Sequence, residues 1–167
     1  MTRDERLPFT QWADIHQTDR LTCVEPLSGY RMVQRDDEAY VTYLPADAGD
    51  EALGRALLDA LDRSRFIWPT ADEREFFEAE RYVRCYRNWQ KDFMRRLGCK
   101  TKRELYKNMD WCRAKRSEGT ISIKPHKRDP QPEYFTYLPP DKTVVIPLTT
   151  DPAVAGAAVR LAFDRCK

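Results

Sequence analysis

The sequence predicts an α+β fold: a single domain over residues 1–167, with two related β-β-α units sharing one sheet and helices inserted between them. Three observations carry this expectation. The chain repeats itself at a constant offset of 102 residues, so that 41–65 (VTYLPADAGDEALGRALLDALDRSR) aligns with 143–167 (TVVIPLTTDPAVAGAAVRLAFDRCK) without a gap. Each copy reads as a short strand, a Pro-marked exit, a polar turn and a helix. The stretch between the copies, about 70–113, carries helix-start signals rather than strand patterns.

Within the repeat, Leu44 falls on Ile146, Pro45 on Pro147, Gly54 on Gly156, Ala60 on Ala162, and Asp62-Arg63 on Asp164-Arg165. Glycine inside a helix costs about 1 kcal/mol relative to alanine. Close packing of the helix on a strand or on its sister helix would explain why both copies carry it. Asp151-Pro152 marks the start of the second helix, an Asp N-cap followed by Pro at the first helical position. Its expected buried face is Val154, Ala158, Leu161 and Ala162.

Each copy is preceded by another expected strand: Gly29-Tyr30-Arg31-Met32-Val33 after a Ser28-Gly29 turn, and Thr120-Ile121-Ser122-Ile123 after Glu118-Gly119. Asp36-Asp37-Glu38 forms the hairpin tip in the first copy. In the second, 124–142 holds five prolines and reads as loop, with Phe135–Leu138 as a short edge strand. Between the copies, Thr70-Ala71-Asp72-Glu73 is a capping box that opens a helical run toward 97. Its expected core residues are Phe76, Phe77, Val83, Tyr86 and Phe93, with a possible break at Asn88-Trp89 and a stop at Leu97-Gly98. Thr101–Glu104 is a second capping box, opening a helix through about Cys112 with Leu105, Met109 and Cys112 on one face.

The composition narrows the function. Hydrophobic residues make up 41% and charged residues 34%, mean hydropathy is −0.74, and no apolar run approaches the roughly 20 residues of a membrane span. Residues 1–20 hold four acids and no apolar core, so no secretory signal is read there, and a cytoplasmic location is expected. Five cysteines at wide spacing form neither a disulfide framework nor a zinc motif; they read as reduced, packed thiols. His16 and His126 are the two histidines; the second lies in the basic, loop-like Lys124–Arg128. Phosphate-loop, dinucleotide, nucleophile-elbow and metalloprotease motifs are all missing, so no catalytic residue, cofactor, metal site or small-molecule substrate is expected.

The net charge of +2 hides an asymmetry. Residues 1–70 hold 8 Lys/Arg against 13 Asp/Glu, whereas 71–118 hold 14 against 9. Two readings are open: solvated faces that attract each other in the fold, or a charged partner on one side. Arg81, Arg84, Arg87, Lys91, Arg95 and Arg96 fall on several faces of their helix. With Lys124–Arg128 they define an alternative, a nucleic-acid-binding module.

The second half resembles a known family. Thr101–Met109 with Cys112, then Gly119–Pro125, then Gly156–Cys166 together resemble the immunity proteins of bacterial contact-dependent growth inhibition systems, the CdiI type. The resemblance rests on residues 101–167. It implies a cytoplasmic binding protein, not an enzyme, that forms a 1:1 complex with the toxic C-terminal domain of a cognate CdiA-type protein, often a nuclease. It implies no membrane or nucleic-acid partner for the free protein. Nuclease domains grip phosphate with basic surfaces, so an inhibitor gains on-rate from acidic ones. The densest acidic group is Asp36, Asp37 and Glu38 with Asp47, Asp50 and Glu51, and Tyr40 and Tyr43 stand beside it as aromatic anchors. These eight residues are the expected toxin-binding site.

Overall fold

A long antiparallel hairpin opens the fold. Strand β1 (Gln11–Gln17) pairs with β2 (Leu21–Gly29), and the turn between them is closed by the Thr18 hydroxyl, which accepts from the Leu21 N–H at 3.1 Å. The computed structural model describes residues 8–68, 70–131 and 134–167. Two short strands, β3 (Val33–Arg35) and β4 (Thr42–Pro45), both pair with β2, one at each of its ends. Helix α1 (Asp50–Arg63) follows. A 3₁₀ turn (Ala71–Phe77), α2 (Ala79–Leu97) and α3 (Lys102–Tyr106) come next. The chain then lays down β5 (Asp110–Ser117), β6 (Thr120–Arg128), β7 (Phe135–Tyr137), β8 (Val144–Pro147) and α4 (Pro152–Asp164).

The sheet order is β3-β2-β1-β5-β6-β7, with β4 also on β2 and β8 also on β6. Both hairpins therefore carry a pair of short outer strands, and β1 against β5 joins them at the centre. The β5–β6 turn is Glu118-Gly119, both at positive φ (52° and 77°), the two-residue geometry that matches strand twist. Pro26 and Pro125 occupy matching places. Each sits where its strand has left one short outer partner and not yet met the next, so each is locally an edge position that tolerates proline.

Helices α1 and α4 cover one sheet face. Ala13, Ile15, Val24, Cys112, Ala114, Ile121 and Ile123 meet Leu57, Leu61, Val159 and Phe163 there. Alternate residues point the other way, where α2 and α3 pack Trp89, Phe93, Leu97, Leu105 and Met109 around Cys23. Gly54 and Gly156 lie at the contact between α1 and α4. A Cβ on Gly54 would overlap the Pro152 carbonyl oxygen, and one on Gly156 would overlap that of Asp50. Of the two packings expected for the paired glycines, on a strand or on the sister helix, the structure shows the second.

Several expectations change. Tyr30–Met32 is a turn, not strand: Gly29 ends β2 at φ 142°, and its backbone is claimed by Arg65 and Ile67. The Thr70 side chain makes no cap bond; the chain opens as a 3₁₀ turn, and the helical break falls at Glu78, so that α2 runs unbroken through Asn88-Trp89 because Trp89 is buried. Pro69 and the side chains of Ala71 and Asp72 lie outside the described residues. Thr101 does cap α3, accepting from the Glu104 N–H at 3.2 Å. That helix ends at Tyr106, and Cys112 lies on β5 facing Ile15 and Pro125. Lys124–Arg128 continues β6 and is not loop. Val83, Val154 and Leu161 are exposed, since the buried faces run through Cys85, Trp89 and Phe93 on α2 and through Ala155, Val159 and Phe163 on α4. Phe135–Tyr137 is the expected edge strand, and Gly98 ends α2 in the left-handed conformation (φ 71°).

The crossing gives a direct test. Gly54→Ala or Gly156→Ala forces the two helices apart and should destabilise the chain by about 1–3 kcal/mol or more in urea unfolding, whereas alanine normally stabilises a helix. A neutral or stabilising result would remove the close crossing as a structural constraint.

Candidate functional site

The expected site residues fall in two places. Asp36, Asp37 and Glu38 form the β3–β4 turn and are tied to the residues just past the C-terminal end of α1 and to α2. Asp47, Asp50 and Glu51 lie at the N-terminal end of α1. Fourteen residues of helix separate the two groups, about 20 Å at 1.5 Å per residue. The acidic residues do not form one patch.

The turn is solvated only in part: Asp37 and Glu38 are exposed, and Asp36 is not. The Asp36 carboxylate is buried and accepts from Ser28 Oγ at 2.6 Å and from Arg65 Nε and Nη2 at 2.7 and 2.8 Å. Burial alone would raise its pKa; the Arg65 and Ser28 hydrogen bonds outweigh burial and hold it below the usual carboxylate value. Asp37 accepts from Arg81 at 2.5 Å, and Arg81 is itself buried on α2 with its guanidinium 4.0 Å over the Phe76 ring. Glu38 is exposed and meets the outer edge of Arg65 at 3.1 Å. Tyr40 is exposed, donates to Asp59 at 2.7 Å, and lies under the Arg63 guanidinium. Tyr43 packs its ring on Phe93 and donates to Asp92 at 3.0 Å; burial and that carboxylate push its pKa up. At the other end of α1, Asp50 accepts from Arg160 of α4 at 2.6 Å, Glu51 pairs with Arg55, and Asp47 stands exposed with no ion pair among the described residues.

Asp36, Asp37 and Tyr43 share one cavity of about 220 Å³ between α2 and β3–β4. Its floor holds residues that sequence reasoning missed. Arg35 lies 4.2 Å over the Trp89 ring and 3.0 Å from the Glu25 carboxylate. Beside them on the same sheet face, Arg113 clasps Asp14 with two hydrogen bonds of 2.8 and 3.0 Å. His16 packs between Trp89 and Trp111, and His126 stacks on Trp111 at 3.8 Å. Neither histidine is at the surface; His126 is 3% exposed on β6. The signal was present as alternation: Asp14-Ile15-His16, Val24-Glu25 and Cys112-Arg113-Ala114 each place a polar residue opposite the core. Alternation alone reads that face as solvated, and only the tertiary cover of α2 and α3 buries it.

Burial and pairing set the protonation of this layer. Burial opposes the Asp14 charge, yet Arg113 brings its pKa down to about 2. Burial lifts Glu25 to about 7 against the attraction of Arg35. Burial also depresses His16 to about 3 and His126 to about 4, so both are neutral at pH 7. Among the described residues, no group of three or more His, Cys, Asp or Glu is disposed to hold a metal, and no helix is long and apolar enough to cross a membrane. Of the basic residues on α2, Arg95 and Arg96 pair with Asp92, while Arg84, Arg87 and Lys91 line a shallow groove.

A curled antiparallel sheet covered on both faces, with a charged and aromatic cavity beside its short outer strands, defines the class as a small α+β domain. The chain belongs to the CDI immunity protein family (CdiI), whose profile matches residues 11–166. The match reaches well beyond the 101–167 on which the resemblance rested. The immunity protein CdiI-YPIII of Yersinia pseudotuberculosis is 30% identical over 168 residues, covering 93% of this chain and 95% of the relative. A chain of the CdiA-CT/CdiI toxin and immunity complex from Y. pseudotuberculosis superposes with a TM-score of 0.87 at 30% identity, over 95% of this chain and 98% of that one. A Neisseria meningitidis protein of unknown function superposes with a TM-score of 0.88 at 28% identity over the full length of both chains.

The buried layer makes stability fall in acid. Between pH 6.5 and 4 an unfolded chain protonates its histidines while the folded one keeps His16 and His126 neutral, so acidification favours unfolding. Glu25 acts oppositely between about 7 and 4.5, because its folded form binds the proton first. Two histidines outweigh one carboxyl, so urea midpoints should drop from pH 6.5 to 4.5 and drop more steeply below. His126→Phe keeps the ring stack and should flatten that slope; an unchanged slope would mean that His126 titrates normally in the fold.

Proposed function

We propose that this chain is a cytoplasmic, non-enzymatic immunity protein that binds the toxic C-terminal domain of a cognate CdiA-type protein in a 1:1 complex and neutralises it. The observation that carries the reading is the near-complete superposition on a chain of a toxin and immunity complex. We further propose that the toxin is a nuclease and that it meets the β3–β4 turn and the start of α1. Asp37, Glu38, Tyr40, Asp47 and Glu51 are the exposed members of that surface, with the half-buried Asp50 beside them. Asp36 and Tyr43 act from below, fixing the turn and the cavity wall.

The internal ion pairs do not argue against this surface. Exposed pairs such as Glu38–Arg65 and Glu51–Arg55 are each worth about 0–1 kcal/mol. Exchanging such an arginine for a cation of the partner therefore costs little. The Asp36–Arg65 contact is different, because Asp36 is fully buried and removing Arg65 leaves its charge uncompensated.

The test co-expresses this chain with the C-terminal domain of its cognate CdiA-type protein and measures binding by calorimetry. Rescue of growth and a tight 1:1 complex are expected. The triple variant Glu38→Lys, Asp47→Lys, Glu51→Lys should fold normally, bind about tenfold or more weakly, and show a flatter salt dependence. Unchanged affinity and salt slope would move the interface elsewhere. Salt-dependent binding of the free protein to RNA or DNA, lost with Arg84, Arg87 and Lys91, would instead favour the nucleic-acid reading of α2.

A further inference from the structure

We propose that Cys112 and Cys166 form a buried oxidation site, a dithiol that closes to an intramolecular disulfide when the protein meets a peroxide. The two sulfurs lie 3.6 Å apart between β5 and the segment just past α4. They come from positions 54 apart in sequence, so the fold and not the local chain brings them together. Both belong to the apolar cluster under α1 and α4. The other cysteines lack this arrangement: Cys23 lies on the opposite sheet face, Cys85 on α2, and Cys99 is half-buried with its thiol toward the Met94 carbonyl.

The pair is chemically unequal. The hydrogen bond with Cys112 lowers the Cys166 pKa below that of an ordinary thiol, while burial pushes Cys112 well up. A thiolate is the nucleophile in thiol oxidation, so Cys166 attacks first and Cys112 resolves. Cys166 is also better placed for access. It follows the last turn of α4, and helix ends open more readily than central strands.

The steps balance with hydrogen peroxide as the oxidant. The Cys166 thiolate attacks one peroxide oxygen and the O–O bond breaks, leaving a sulfenic acid and a hydroxide that is protonated to water. The Cys112 sulfur then attacks the sulfenic sulfur. The S–S bond forms, the S–O bond breaks, and the departing hydroxide leaves as water with the Cys112 proton. Two thiols lose two hydrogens and two electrons, and one peroxide becomes two waters.

The bridge would pin the end of α4 to the strand beside β1. A cross-link of that span restricts the unfolded chain, so the oxidised protein should be the more stable form. The inference does not depend on the identity of the toxin.

The experiment treats the reduced, full-length folded chain with hydrogen peroxide and reads intact mass without reductant. The expected result is a loss of two hydrogens, a single non-reduced peptide pair joining Cys112 to Cys166, a higher melting midpoint, and reversal by dithiothreitol. Cys166→Ala should take up no oxygen at Cys112, whose thiol burial keeps protonated. Peptide mapping of the unsubstituted protein decides the matter even if that variant folds poorly. Recovery of both thiols as alkylatable after unfolding would overturn the proposal, as would a cross-link that maps to Cys99 between two molecules.

Discussion

The close crossing of α1 and α4 sets the terms for the rest of the fold. Gly54 and Gly156 let the two backbones meet with no side chain between them. Two short helices then act as one lid over β1, β2, β5 and β6, and alanines such as Ala60, Ala155, Ala158 and Ala162 keep that lid thin. The glycine penalty, about 1 kcal/mol at each position, is offset by apolar burial that wider helix spacing would forfeit. With one face sealed in this way, the remaining helices have only the other face to cover. The sheet ends up buried on both sides.

That outcome governs the electrostatics. The carboxylates on the second face of β1 and β2 cannot reach water, so each needs a partner of fixed geometry. Asp14 has Arg113 and Glu25 has Arg35, while the histidines give up their charge. Arg35 carries the effect outward. It belongs to β3, the strand that leads directly into the Asp36–Glu38 turn, and its backbone carbonyl accepts from Arg81 at 3.1 Å. The turn is therefore anchored by buried arginines from below and shows only its outer carboxylates to solvent.

The parts of this design that are local were legible in the sequence. The Pro-exit, turn and helix in 41–65 and in 143–167, the Asp151 and Thr101 caps, the Gly98 stop and the Glu118-Gly119 turn all follow from one residue's conformational preference or one side chain's hydrogen bond. What failed depended on distant chain. Pro26 and Pro125 are acceptable in strands only because outer strands end beside them, which no window of sequence records. Asp36 looked like a hairpin-tip carboxylate because Arg65 lies 29 positions away. Glu25, Arg35 and the two histidines were passed over because alternation shows which face a residue takes, not what covers it. The acidic group looked single because six carboxylates over sixteen residues are dense in sequence, while the strand and helix between them set the two halves apart.

The surface proposed to meet the toxin separates two demands that usually conflict. Affinity needs groups held in place before the partner arrives, since ordering them on contact costs free energy. Diversification among related partners needs surface residues that can change without unfolding the domain. Here the ordering is done inside, by Asp36–Arg65, Asp37–Arg81 and the aromatic seat of Arg35. The outer residues, Glu38, Asp47 and Glu51, hold only weak exposed pairs or none. A substitution there alters what the surface offers and leaves its geometry alone. A neutral residue at Arg65 or Asp37 would instead strip the partner from the buried Asp36 carboxylate or the buried Arg81 guanidinium and disturb the turn itself. On physical grounds, variation in partner preference belongs on the rim, while the buried arginines and their carboxylates hold the frame that makes such variation tolerable.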